Sequence, residues 1–215
     1  MRCAALTMLR ALTAGLVLAA PLAVAHRDPA PSAPPAALAS EPHLAAIRQA
    51  PDFTLTNTRA QQVRLAQLRG RTVLLAFIFT HCSSACPMLS YRMGLLQARL
   101  AKAGLFPARI ALLSVTVDPQ RDSAEVLERY ARRFHARPGW HFLRDEPERL
   151  QPVLADYDEW TKRLASGDVD HPARLYLIDP SGRIREIYSL AFFDEGQALV
   201  DIEAIERESG AAPRH

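Results

Sequence analysis

Two stretches of the chain, residues 72–79 and 110–117, are apolar almost without a break. Runs of that length suit central strands covered on both faces. Alternation over Phe53-Thr54-Leu55 and Val63-Arg64-Leu65, around a polar turn, predicts a short hairpin. A helical period then begins near Cys86 and runs through Leu89, Met93, Leu96 and Leu100, with Gly104 beyond its end. Asp122-Ser123-Ala124-Glu125 offers a capping pattern before a helix carrying Val126, Leu127, Tyr130 and Phe134. A short strand at 140–143 and a helix over 147–157 follow. Residues 174–178 form a strand, Asp179-Pro180-Ser181-Gly182 a turn, 183–188 the returning strand, and 195–206 a last helix.

Strand–helix–strand–helix followed by a hairpin and a helix predicts an α/β fold. It is a thioredoxin-like central sheet flanked by helices, with an N-terminal hairpin extension. In open α/β sheets the functional site gathers at the C-terminal ends of the strands. His81-Cys82-Ser83-Ser84-Ala85-Cys86-Pro87 falls at such an end.

The first 25 residues read as a secretory signal. Arg2 and Arg10 precede an apolar core, and Ala23-Val24-Ala25 is a small-residue cleavage pattern. An uncleaved membrane anchor is the alternative. Residues 26–49, rich in Pro, Ala and Ser, read as a flexible linker, 50–208 as the folded domain and 209–215 as a disordered tail. Loss of residues 1–25 removes Cys3, and the mature chain then keeps two of its three cysteines, Cys82 and Cys86. It also removes two of the 26 basic residues, leaving 24 against 23 acidic ones. That balance excludes a nucleic-acid surface.

A disulfide between Cys82 and Cys86 would close almost no loop, so the pair reads as chemistry rather than reinforcement. A helix N-terminus depresses the pKa of a thiol placed there, and Pro87 suits a first helical turn. The bland alternative is two small buried hydrophobes. Paired thiolates suit Cu(I), while stable Cu(II) binding calls for nitrogen as well. Of the seven histidines, His26, His43 and His215 lie in the linker or tail. His81 reads as exposed or as support for its neighbour Cys82, and His135 and His141 as surface residues. His171, in Val169-Asp170-His171-Pro172 before a strand, is the preferred third ligand. Asp118 reads as a turn former before Pro119 and Asp122 as a helix N-cap; the alternative makes both carboxylates neighbours of the site.

Taken together, these motifs resemble the SCO1/SenC family of copper-binding thioredoxin-fold proteins. The resemblance rests on Asp52-Phe53-Thr54-Leu55, Leu68-Arg69-Gly70-Arg71, the Thr80 to Pro87 segment, Ser114 to Asp122, Asp170-His171-Pro172 and Tyr176 to Arg183. It implies that Cys82, Cys86 and His171 bind copper together. It implies a partner too: cytochrome c oxidase subunit II, whose dinuclear copper site would be assembled, or another periplasmic copper protein. Ser83-Ser84-Ala85 lacks the acidic residue that many members carry between the cysteines. Two other functions compete. A thiol-disulfide oxidoreductase would use Cys82 and Cys86 as a redox pair, keep the oxidase cysteines reduced, and have little need of His171. A peroxidase would use one activated cysteine.

Overall fold

The computed structural model describes residues 44–83 and 85–211. The expected signal segment, most of the linker, His26, His43 and His215 lie outside the described residues. Within them, the strands are β1 (Arg48–Gln49), β2 (Thr54–Asn57), β3 (Gln62–Arg64), β4 (Thr72–Ile78), β5 (Ile110–Thr116), β6 (Trp140–Arg144), β7 (Lys162–Arg163), β8 (Val169–Asp170), β9 (Arg174–Ile178) and β10 (Arg183–Ser189). The α-helices are α1 (Ala85–Lys102), α2 (Ala124–Arg133), α3 (Pro147–Asp156) and α4 (Glu195–Ala211).

Eight strands form one sheet in the order β1-β10-β9-β4-β5-β6-β2-β3, and β7 pairs with β8 in a separate two-stranded ribbon. The two apolar runs become the central strands β4 and β5, every residue buried, paired in parallel from Thr72 opposite Ile110 to Ile78 opposite Thr116. Their uninterrupted hydrophobicity is what burial on both faces demands. The hairpin β2–β3 extends the sheet beyond β6, to which β2 pairs antiparallel. Phe77 lies at the centre of an aromatic cluster, its ring 5.5 Å from that of Tyr157 and 6.0 Å from that of Tyr176. Helix α1 packs against α4 and is tied to α2 through Ser90 Oγ and Tyr130 Oη, 3.0 Å apart. Gly104 follows α1 at φ +73, a left-handed conformation that glycine adopts without strain.

Three boundaries differ from the sequence expectation. Residues at the end of the expected linker belong to the sheet. Arg48–Gln49 is the edge strand β1, paired to β10, and Arg185 Nε donates to Leu44 O. Backbone bonds hold the strand there, Ile47 N donating to Ile184 O at 2.8 Å and Ala50 N to Gly182 O at 2.9 Å, while the buried Arg185 of β10 takes partners from Leu44, Asp179 and Glu208. Helix α4 continues to Ala211, so the expected tail from 209 begins as helix. Asp122 is not the cap of α2: Ser123 is, its hydroxyl accepting from Val126 N at 3.4 Å.

Candidate metal centre

Strand β4 ends at Ile78, and the segment from Phe79 to Ser83 carries Cys82 to the first turn of α1. The two cysteines are not joined in a disulfide, and Cys82 is half-buried and Cys86 buried. The Cys86 amide donates to Cys82 Sγ at 3.3 Å. Thus an N–H of the first helical turn is directed onto the preceding sulfur, which is the use of a helix N-terminus that suits a thiolate. A hydrogen bond to Cys82, then burial, raise the Cys86 thiol far above the ordinary cysteine range, with the Cys82 and Asp122 charges adding to the effect. Cys86 also receives a backbone hydrogen bond at Phe79 that lowers its pKa, but this is outweighed. Of the two cysteines that the sequence left open for a depressed pKa, Cys86 is not the one, because the hydrogen bond to Cys82 and burial favour its protonated form.

Asp122 holds this segment from below. Its carboxylate, wholly buried, accepts from Thr80 N at 3.1 Å, from the Thr80 hydroxyl, and from Thr116 Oγ1 at 2.6 Å. His81 lies beside it but is exposed, Nδ1 3.7 Å from Asp122 Oδ1 and 3.2 Å from Thr80 Oγ1. His135 is exposed just past α2, and half-buried His141 lies on β6, where burial and then Arg71 and Arg59 lower its pKa.

His171 follows β8 directly, and its side chain is only 4% exposed. Its ring stands edge-on to Phe79, the centroids 5.9 Å apart, so the histidine rests against the root of the cysteine segment. Nδ1 lies 3.2 Å from Ala173 N and 3.3 Å from Glu159 Oε2. In the tautomer whose Nδ1–H donates to the Glu159 carboxylate, Nε2 is left unprotonated as the atom for a ligand; in the other, Nδ1 accepts from Ala173 N–H and Nε2 carries the proton. Histidines that bind metals commonly donate their other ring N–H to a carboxylate in this way, the part that Glu159 would play here. Glu159 is itself wholly buried and takes a hydrogen bond from Tyr176 Oη at 3.2 Å. Sequence reasoning missed Glu159, since its link to His171 depends on the ribbon β7–β8 folding back. The motif Asp-Glu-Trp gives no local sign of it.

Among the described residues, no three or more His, Cys, Asp and Glu side chains are gathered closely enough to hold a metal. The two cysteines stand together, while His171 is turned toward Glu159. As donors, two sulfurs and an imidazole fit copper better than a hard cation such as Mg²⁺ or Ca²⁺.

The SCO1/SenC family model matches residues 42–205. The chain belongs to the SCO1/SenC family. Its match begins inside the stretch first read as linker, in agreement with strand β1. The mitochondrial SCO2 homolog of Bos taurus is 33% identical over 156 residues, 68% of this chain and 57% of that protein. The chain thus spans little more than half the length of that relative. A crystal structure of Arabidopsis thaliana ScoI with copper bound aligns with a TM-score of 0.64 at 24% identity, covering 74% of this chain and 98% of that one. BsSco, described as a member of the Sco family of cytochrome c oxidase assembly proteins with a disulfide switch, aligns with a TM-score of 0.65 at 24% identity, covering 78% and 97%. The fold is the thioredoxin-like α/β arrangement of these SCO1/SenC structures.

Proposed function

We propose that this SCO1/SenC protein is a copper chaperone that carries its metal as cargo on Cys82, Cys86 and His171. It would be exported to the periplasm by residues 1–25 and would assist assembly of the dinuclear copper site of cytochrome c oxidase. The observation that carries the proposal is the adjacent thiol pair at the end of β4, with a buried imidazole against the same segment through Phe79. Copper-bound and oxidase-assembly relatives share this fold. No helix among the described residues is long and apolar enough to cross a membrane.

Two thiolates hold Cu(I) at low coordination number, and His171 Nε2 completes the set. Oxidation of the pair to a disulfide removes both sulfur ligands, so the redox state of the pair gates loading. Transfer proceeds by stepwise exchange of thiolates with the receiving protein.

Anaerobic titration of the reduced protein with Cu(I) tests this. Wild type should bind one equivalent, lost in Cys82→Ser and in Cys86→Ser and weakened in His171→Ala. Unaltered binding in both cysteine variants would refute the proposal.

The hydrogen-bonded dithiol also supports a second reading, a thiol-disulfide oxidoreductase. Cys82, the more accessible sulfur, would then be the nucleophile and Cys86 the resolving thiol. Reduction of an oxidase-derived disulfide peptide at wild-type rate by His171→Ala, with no copper bound, would favour it.

A further inference from the structure

The ribbon β7–β8 runs from just after Glu159 to just before His171, so the candidate nitrogen ligand sits at the base of an arm. Little apolar surface holds this arm to the domain. Both residues of β7 and Asp170 of β8 are exposed, and Val169 is buried. A cavity of about 230 Å³ opens beside it, lined by Val117, Asp118, Pro119, Thr161, Arg163 and Val169 among others.

The polar tie across this gap is Arg163. Its Nη2 donates to Asp118 Oδ1 at 2.7 Å, and its Nη1 to Gly167 O at 3.4 Å within the arm. Asp118 is only 1% exposed, and its other oxygen accepts from Arg121 Nε. Four residues further along the same connection, Asp122 grips Thr80 at the start of the cysteine segment. The connection itself is braced: Val117 N donates to Ile78 O at 2.7 Å, Asp122 N to Asp118 O at 3.0 Å, and Arg144 to the carbonyls of Asp122 at 3.1 Å and Pro119 at 3.3 Å.

We infer that the connection 117–122 registers the histidine arm against the cysteine segment, with Asp118 and Arg163 as the latch on the arm and Asp122 as the grip on the cysteines. The inference rests on the three-ligand reading of the copper site and names the residues that position its nitrogen. A ligand on a loosely held arm must be ordered at every binding event, whereas a latched arm meets the metal already placed. Arg163 and Asp118 are positioning residues and do not touch the cargo.

Arg163→Ala tests the latch from its exposed end, where the side chain is 48% exposed and the core is left alone. In reduced, metal-free protein, amide exchange at Leu164 and Gly167, whose N–H groups close the arm's turn, should quicken about tenfold. That is the loss of one hydrogen bond to a charged acceptor. Release of Cu(I) to excess chelator should quicken by about the same factor, with partial rescue by Arg163→Lys. Arg132→Ala, a surface arginine paired with Glu128, serves as control and should match wild type in both measurements. Arm exchange unchanged in Arg163→Ala would overturn the latch. Faster exchange with unchanged copper release would overturn its role in ligation. His171→Ala releasing copper at the wild-type rate would sink the three-ligand reading while leaving the metal-free exchange result to judge the latch separately.

Discussion

Replacing Asp122 by alanine should destabilise this protein more than removing the cap of α2. The carboxylate takes three hydrogen bonds, two from Thr80 and one from Thr116. Thr116 is wholly buried, so alanine leaves its hydroxyl without an acceptor, while Thr80 is half-buried and water can reach it. A hydrogen bond to a charged group is worth about 1.5–3 kcal/mol and an orphaned buried donor costs about 1–3 kcal/mol more. Against this stands the desolvation of a wholly buried carboxylate, a cost that alanine removes. The balance is a loss of about 3 kcal/mol, or about 6–12 °C in Tm for a domain of this size. Ser123→Ala removes one capping bond and should cost about 1 kcal/mol, or about 2–4 °C. Thermal unfolding of reduced, metal-free protein, followed by far-UV circular dichroism, measures both shifts. A Tm loss for Asp122→Ala no larger than that for Ser123→Ala would refute the assignment of Asp122 as the grip on the cysteine segment.

Two further outcomes follow from the structure. Iodoacetamide should modify Cys82 well before Cys86, because Cys86 is buried and held protonated by its hydrogen bond to Cys82; peptide mass spectrometry over time reads the order, and equal rates would contradict it. Burial pushes the Asp179 carboxyl up, but Ser181, the Arg183 amide and Arg185 outweigh it and hold the group below the ordinary range. Its contribution to stability is therefore present above the ordinary aspartate pKa near 4 and is lost as pH falls through the lower folded value. Urea midpoints across that range should fall less steeply in Asp179→Asn, and an identical slope would argue against the linkage.

The elements that carry the core were legible because their patterns are long. Strands β4 and β5 could hardly be anything else, and the helix periods of α1 and α2 stand out. The ribbon β7–β8 was not legible, since its strands are two residues each and hold one apolar residue, Val169, and the contact of Arg163 with Asp118 joins residues far apart in the chain. Strand β1 was hidden in a Pro/Ala-rich stretch because its pairing partner, β10, lies far along the chain. The capping pattern located the start of α2 but could not choose between Asp122 and Ser123. That choice was made by Thr80 and Thr116, which tertiary contact alone brings to Asp122. At the candidate site the thiol spacing was readable, whereas the buried Glu159 behind His171 had no local signature.

The cysteines are neighbours in sequence, but His171 comes much later in the chain, after β5, α2, β6, α3 and the ribbon β7–β8. With the proposed ligand set, copper held by the sulfurs alone ties nothing together. Copper held by the histidine as well becomes a cross-link, closing a loop that spans about half of the described residues and restricting the unfolded chain. Cargo uptake and resistance to unfolding are then one event. A partner that draws the metal off its nitrogen first would leave a protein still loaded but already unstapled.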